Sequence, residues 1–145
     1  MNDFTLSEVF PSGSSEYQIL SNAYGLIIAG IPQIAAEYKN KLIALDASRA
    51  ELSSLYFMIN RNISKLKATI QADYDSQYTR LVKIGRPSNT AIEAEIRFSN
   101  PNYLKVSNQI EELENVKNLI VNYMKCIDNC RLTTTELFKD SRRID

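Results

Sequence analysis

Leu42, Leu45, Arg49, Leu52, Tyr56, Ile59, Ile63, Leu66 and Ile70 follow one another at alternating steps of three and four residues, and eight of the nine are apolar or aromatic. This spacing is that of a coiled-coil seam. From Pro32 to Ile84 the chain holds no Gly and no further Pro, so the pattern predicts one helix over residues 32–84, about 75 Å long at 1.5 Å per residue. Beyond Ile70 the alternation would reach Asp73 and Gln77, whereas Tyr74, Tyr78 and Leu81 lie one residue later. A four-residue step in place of three unwinds a seam and turns its stripe.

The other elements are read from breakers and caps. Residues 1–30 form an N-terminal segment with a short helix, which Ser14 or Ser15 opens and which carries Ile19, Leu20, Ala23, Leu26 and Ile27. Gly30-Ile31-Pro32 ends it and begins the long helix, because proline lacks the amide hydrogen that a first turn leaves unused. Residues 85–89 read as a loop, with Gly85 as a helix stop and Ser88, Asn89 or Thr90 as the next cap. Thr90 and Glu93 fit a capping box for a short helix over 90–98. A last helix over 102–140 carries the stripe Val106, Ile110, Leu113, Val116, Ile120, Tyr123, Ile127, Cys130 and Thr134, ending with Leu137 and Phe138. The expected fold is all-α: long coiled-coil-type helices in an elongated hairpin, one domain over 1–145, assembled as a homo-oligomer.

Composition narrows the function classes. The 145 residues include no His and no Trp, four Gly and four Pro, which removes the usual general base and a common metal ligand and argues against an enzyme. No cofactor and no metal site are expected. The first 38 residues contain no Lys or Arg, so no secretory leader is read there and a cytoplasmic location is expected, that of the host cell if the chain is phage-encoded. The apolar stretch from Ala23 to Ile34 is too short for the roughly 20 residues of a membrane span. Cys126 and Cys130, four residues apart, read as small packing residues of a reducing compartment, with a redox or intersubunit metal role as the alternative.

Seventeen basic and seventeen acidic residues cancel overall, yet residues 37–86 carry nine bases against five acids, an excess of four. Arg49 interrupts the seam and calls for a carboxylate from another helix or subunit; Glu111, Glu112 and Glu114 are the candidates, and their bland reading is a solvated acidic face. Phe4, Leu6, Val9 and Phe10 lie in a segment without helical period, suited to docking a partner or to packing loosely on its own domain.

In its order of features the chain resembles the UvsY-like recombination mediators of tailed phages. The pieces are Ile31-Pro32-Gln33-Ile34 followed by Glu37-Tyr38, the basic, tyrosine-bearing helix end with Tyr74 and Tyr78 before Gly85, the segment Leu104-Lys105-Val106, and a C-terminal amphipathic helix containing Arg131. They span roughly residues 31–143. The resemblance implies a small helical protein that assembles with itself, in that family as rings, and binds single-stranded DNA. Its partners would be a recombinase and a single-strand DNA-binding protein.

Such a protein does no covalent chemistry. Arg61, Lys65, Lys67, Arg80, Lys83 and Arg86 are the candidate phosphate contacts, and Tyr74 and Tyr78, which flank the stutter, are the candidate stackers on exposed bases. Tyr56 sits on the seam and reads as core. The same cations can instead solvate the seam or pair across it. Leu52, Ile59, Ile63, Leu66, Ile110, Leu113, Ile120 and Ile127 are the candidate oligomer contacts. The competing reading is a structural coiled-coil adaptor or chaperone that binds only proteins.

Overall fold

The computed structural model describes residues 10–85 and 88–143. Its regular elements are all helical: α1 (Ser15–Ala29), a 3-10 turn (Ala35–Glu37), α2 (Tyr38–Lys83), α3 (Asn89–Ser99) and α4 (Pro101–Arg143). The Phe4, Leu6 and Val9 part of the N-terminal segment lies outside the described residues.

Three of the helices begin where a side chain takes over an amide that the helix itself leaves unbonded. Ser14 Oγ accepts from the Tyr17 amide at 3.2 Å, and Ser88 Oγ from the Ala91 amide at 3.2 Å. Ser88 thus opens α3, and the expected Thr90–Glu93 capping box is not used, because Thr90 already lies within the helix. Asn100 Oδ1 accepts from the amides of Asn102 and Tyr103, with Pro101 in the first helical position. Gly30 (φ +66°) and Gly85 (φ +80°) follow α1 and α2 in conformations that a Cβ disfavours. The long helix starts at Tyr38 rather than Pro32. Ile34 is extended and the next three residues form a 3-10 turn before the α-helix begins.

The chain divides into two compact units. Among the described residues, 10–58 and 116–143 form one, and those between 59 and 115 form the other. In the first, α1 and segments of α2 and α4 share a core of Leu20, Ala23, Leu45, Leu52, Leu55, Val116, Ile120 and Ile127, with Thr134 also fully buried. Each such Leu or Ile contributes roughly 1.5–3 kcal/mol. On α2 the most deeply buried line is Lys41, Leu45, Ser48, Leu52 and Leu55, while Leu42, Arg49 and Tyr56 are half-buried. The stripe is centred one residue from the expected seam at every second position. The reason is that α2 meets two neighbours here, α1 through Lys41 and α4 through Arg49, so a wider arc is covered than in a two-helix coil.

Lys41 lies only 9% exposed, and its Nζ donates to the Leu26 carbonyl at 2.7 Å. That carbonyl belongs to the last turn of α1, which has no basic residue of its own. Lys41 therefore supplies, from the next helix, the cation that the negative end of α1 favours.

In the second unit the remaining part of α2 packs with α3 and the start of α4. Leu81, Ile92 and Ile96 form its core cluster, against which Tyr74, Tyr78 and Tyr103 pack. The predicted turn of the stripe is present: Tyr74 and Tyr78 are half-buried and Leu81 is 1% exposed, while Asp73 accepts a hydrogen bond from Asn100 at 3.2 Å. No helix among the described residues is long and apolar enough to cross a membrane.

Candidate nucleic-acid interface

The predicted DNA contacts with described positions all belong to the second unit, and the structure separates them into free and engaged groups; Arg86 lies outside the described residues. Arg61 and Lys65, one turn apart on α2, are exposed, as is Lys83 at its end. Among the described residues none of the three meets a carboxylate. Lys67, two residues beyond Lys65, instead pairs with Glu114 of α4 at 3.3 Å. Arg80 is held by its own helix: Nε and Nη2 both donate to Gln77 Oε1, at 3.2 and 2.9 Å.

Tyr74 and Tyr78 are near-parallel, with ring centroids 6.3 Å apart at 20°, and Tyr103 lies 6.3 Å from Tyr74 at 52°. The Tyr78 hydroxyl donates to Asn89 Oδ1 at 2.7 Å. Burial pushes the Tyr74 phenol above its ordinary range; the negative charge and hydrogen bond of Glu93 act in the same direction, and Arg97 opposes them. The two predicted stackers are therefore part of a three-ring cluster resting on Leu81, Ile92 and Ile96. Tyr103 and Arg97 were not among the predicted site residues. Their signal was available only as the amphipathic turn of α3 and the third position of α4, where one residue of each cycle must face the end of α2.

Arg80 also borders a cleft of about 240 Å³ lined by Gln77, Leu81, Glu95, Ile96, Asn100 and Pro101. The tyrosine cluster and the Arg61–Lys65 pair do not merge into one site. Lys65 and Tyr74 are nine residues apart on a continuous helix, about 14 Å along its axis.

The candidate oligomer contacts are placed differently from the cations. Leu52, Ile59, Ile63, Ile120 and Ile127 are at most 2% exposed within a single chain, and Leu66, Ile110 and Leu113 are half-buried. Most of their apolar surface is already taken up within the single chain.

Arg49 finds its carboxylate, and it is none of the three glutamates considered. Arg49 Nε lies 3.1 Å from Asp128 Oδ1 on α4, and a second pair joins Arg131 of α4 to Asp46 of α2 at 2.5 Å. Glu114 is engaged with Lys67, while Glu111 and Glu112 are exposed. Hydrogen bonding to Asp46, reinforced by its charge, raises the Arg131 guanidinium still further above its already basic range. Cys126 is exposed and Cys130 half-buried, both as free thiols, and no group of metal-binding side chains occurs among the described residues. Comparison of the chain with protein-family models, with curated proteins and with solved structures finds no match in any of the three.

Proposed function

We propose that the chain is a homo-oligomeric helical protein that binds single-stranded DNA and acts as a recombination mediator, promoting the loading of a recombinase onto DNA coated by a single-strand binding protein. The observation that supports this reading is the exposed cationic face of α2 at Arg61 and Lys65, which meets no carboxylate among the described residues, with Lys83 further along the same helix. Each such cation that neutralises a phosphate releases a counterion, and an oligomer multiplies the effect by its subunit number. The tyrosine cluster adds half-buried ring surface, although its rings are committed chiefly to one another, so phosphate contacts carry the larger share. Coiled-coil-type packing between long helices and assembly with copies of itself belong to the same proposal.

A labelled oligothymidine titrated with the protein at low and moderate salt tests it. Affinity that falls steeply with salt, and falls further in Arg61→Gln with Lys65→Gln, is the expected result. Absence of binding at low salt would remove the DNA reading.

The second reading is a structural adaptor whose ligands are proteins only. It is favoured by the large apolar side chains left in solvent, among them Ile28, Phe57, Phe98 and Leu132, each above 60% exposed.

A further inference from the structure

Gln77, Arg80 and Leu81 share one face of α2, at spacings of three and four residues, and line a cleft with Glu95 and Ile96 of α3. The cleft measures about 240 Å³ and belongs wholly to the second unit. Its volume is that of about eight waters in the liquid, and it falls below the roughly 300–1,000 Å³ of sites for drug-sized ligands. It has room for one flat ring system with polar edges. Leu81 and Ile96, each 1% exposed, give it apolar walls.

Two polar groups define what the cleft can hold. Gln77 Oε1 accepts from Nε and Nη2 of Arg80, at 3.2 and 2.9 Å, which fixes the plane of the guanidinium. A guanidinium carries five N–H donors, so its two terminal nitrogens keep the end-on fork that matches a pair of adjacent acceptors. Glu95 brings a carboxylate, which accepts at up to about four positions and so can take adjacent donors alongside its contacts within the chain. Asn100, also in the lining, is fully engaged: Oδ1 accepts from two amides and Nδ2 donates to Asp73. The lining thus offers one charge of each sign. A phosphate there would meet the repulsion of Glu95, whereas a neutral base meets a donor pair and an acceptor pair. Guanine presents the complement of both, with adjacent acceptors at O6 and N7 and adjacent donors at N1 and N2.

From this arrangement we infer that the cleft is a subsite for one unstacked guanine of a single strand, its O6 and N7 taken by Arg80 and its N1–H and N2–H by Glu95. The inference rests on the proposed binding of single-stranded DNA and adds to it a preference among bases. A single strand suits such a site, because its bases can turn out of the stack and offer both edges. Lys83, three residues beyond Arg80, is exposed for an adjoining phosphate. Phe98, three residues beyond Glu95 on the same side of α3, is 75% exposed and offers a ring on which a neighbouring base can stack.

The test is fluorescence anisotropy of the full chain with labelled oligothymidines of one length, carrying thymine, adenine, guanine or 7-deazaguanine at the central position. The guanine strand is expected to bind on the order of tenfold more tightly than the thymine and adenine strands, the discrimination of one good bidentate contact. The 7-deazaguanine strand, which lacks the N7 acceptor, should lose most of that gain. Arg80→Lys keeps the charge and removes the fork, so the preference should vanish while oligothymidine is still bound with salt-sensitive affinity. Glu95→Gln should weaken the preference too. Arg80 is exposed, and unchanged far-ultraviolet dichroism verifies that its variant is folded. Salt-sensitive binding of all four strands with equal affinity overturns the subsite and leaves the strand-binding reading standing. Binding of none at low salt removes that reading and the subsite with it. A guanine preference that persists in Arg80→Lys overturns the assignment to this cleft, and free guanosine monophosphate competing as well as the guanine strand overturns the strand as the source of the base.

Discussion

Arg49 on α2 and Asp128 on α4 meet at 3.1 Å, and three residues away on each helix the charges are exchanged, Asp46 meeting Arg131. Each helix carries the same short pattern, Asp-x-x-Arg, as Asp46 to Arg49 and Asp128 to Arg131. Antiparallel packing turns one copy of the pattern against the other, so each arginine faces an aspartate. A slip of one turn would instead set like charges together or leave both arginines unpaired. Arg49 costs the seam an apolar residue and is offset by this reciprocal contact, to which its Nη1 adds a hydrogen bond on the Met124 sulfur at 2.9 Å.

The coupling between Arg49 and Asp128 is expected to be small. Their side chains are 38% and 53% exposed, so a double-mutant cycle with Arg49→Ala and Asp128→Ala in urea unfolding should return about 0.2–1 kcal/mol, shrinking in high salt. The exchanged pair, Arg49→Asp with Asp128→Arg, restores one opposite-charge contact while gathering both carboxylates on α2 and both guanidinium groups on α4. It should retain most of the stability, whereas each single reversal loses more than the matching alanine variant.

Lys41→Met keeps the buried aliphatic stem and removes the ammonium. The Leu26 carbonyl then loses a charged donor at the negative end of α1, and a destabilisation of about 1.5–3 kcal/mol is expected. Hydrogen exchange should rise first in the last turn of α1, before any change in the second unit. Equal acceleration throughout the chain would contradict the local role.

Leu81→Ala opens a cavity beneath the tyrosine cluster. Leu81 is 1% exposed against Ile92 and Ile96, so the cost should be about 2–5 kcal/mol in denaturant unfolding. Tyrosine emission should shift with it, since Tyr74, Tyr78 and Tyr103 rest on the same cluster.

Alkaline pH should weaken the second unit in a defined window. The folded Tyr74 phenol lies above its unfolded value of 10.0, so the folded state favours the protonated form. That stabilisation is complete below pH 10.0 and is lost as pH rises through the folded value. Tyrosinate absorbance should show Tyr74 ionising late, and Tyr74→Phe should flatten the pH dependence of unfolding above pH 10.0. An identical alkaline profile in the variant would assign the effect elsewhere.

For the proposed DNA contact, Arg61→Gln and Lys65→Gln should each reduce the salt slope by about 0.7, the single-strand value per phosphate contact. Lys67→Gln and Arg80→Gln should change it less, because Glu114 and Gln77 already hold those side chains. Equal slopes for all four variants would show that the intramolecular partners do not restrain Lys67 and Arg80.

The all-helical character, the stop at Gly85, the stripe along α4 and the turn of the α2 stripe after Ile70 were legible in the sequence. All follow from local chemistry: apolar spacing, proline and glycine geometry, and capping side chains act within a few residues of one another. The Asp-x-x-Arg pattern was also present in the chain, but its meaning depends on which helix lies opposite, and the acidic run at Glu111, Glu112 and Glu114 drew attention to the wrong acids. Similarly, Leu52, Ile59 and Ile120 read equally well as contacts between copies or within one, because periodicity states that a face is covered and not by what. Tertiary packing decided that these positions are buried within the single chain, that Lys67 pairs with Glu114 while Lys65 meets no carboxylate among the described residues, and that Tyr24 and Ile28 are left in solvent. Those outcomes depend on contacts between residues up to 85 positions apart, as in Asp46 with Arg131, which no local pattern encodes.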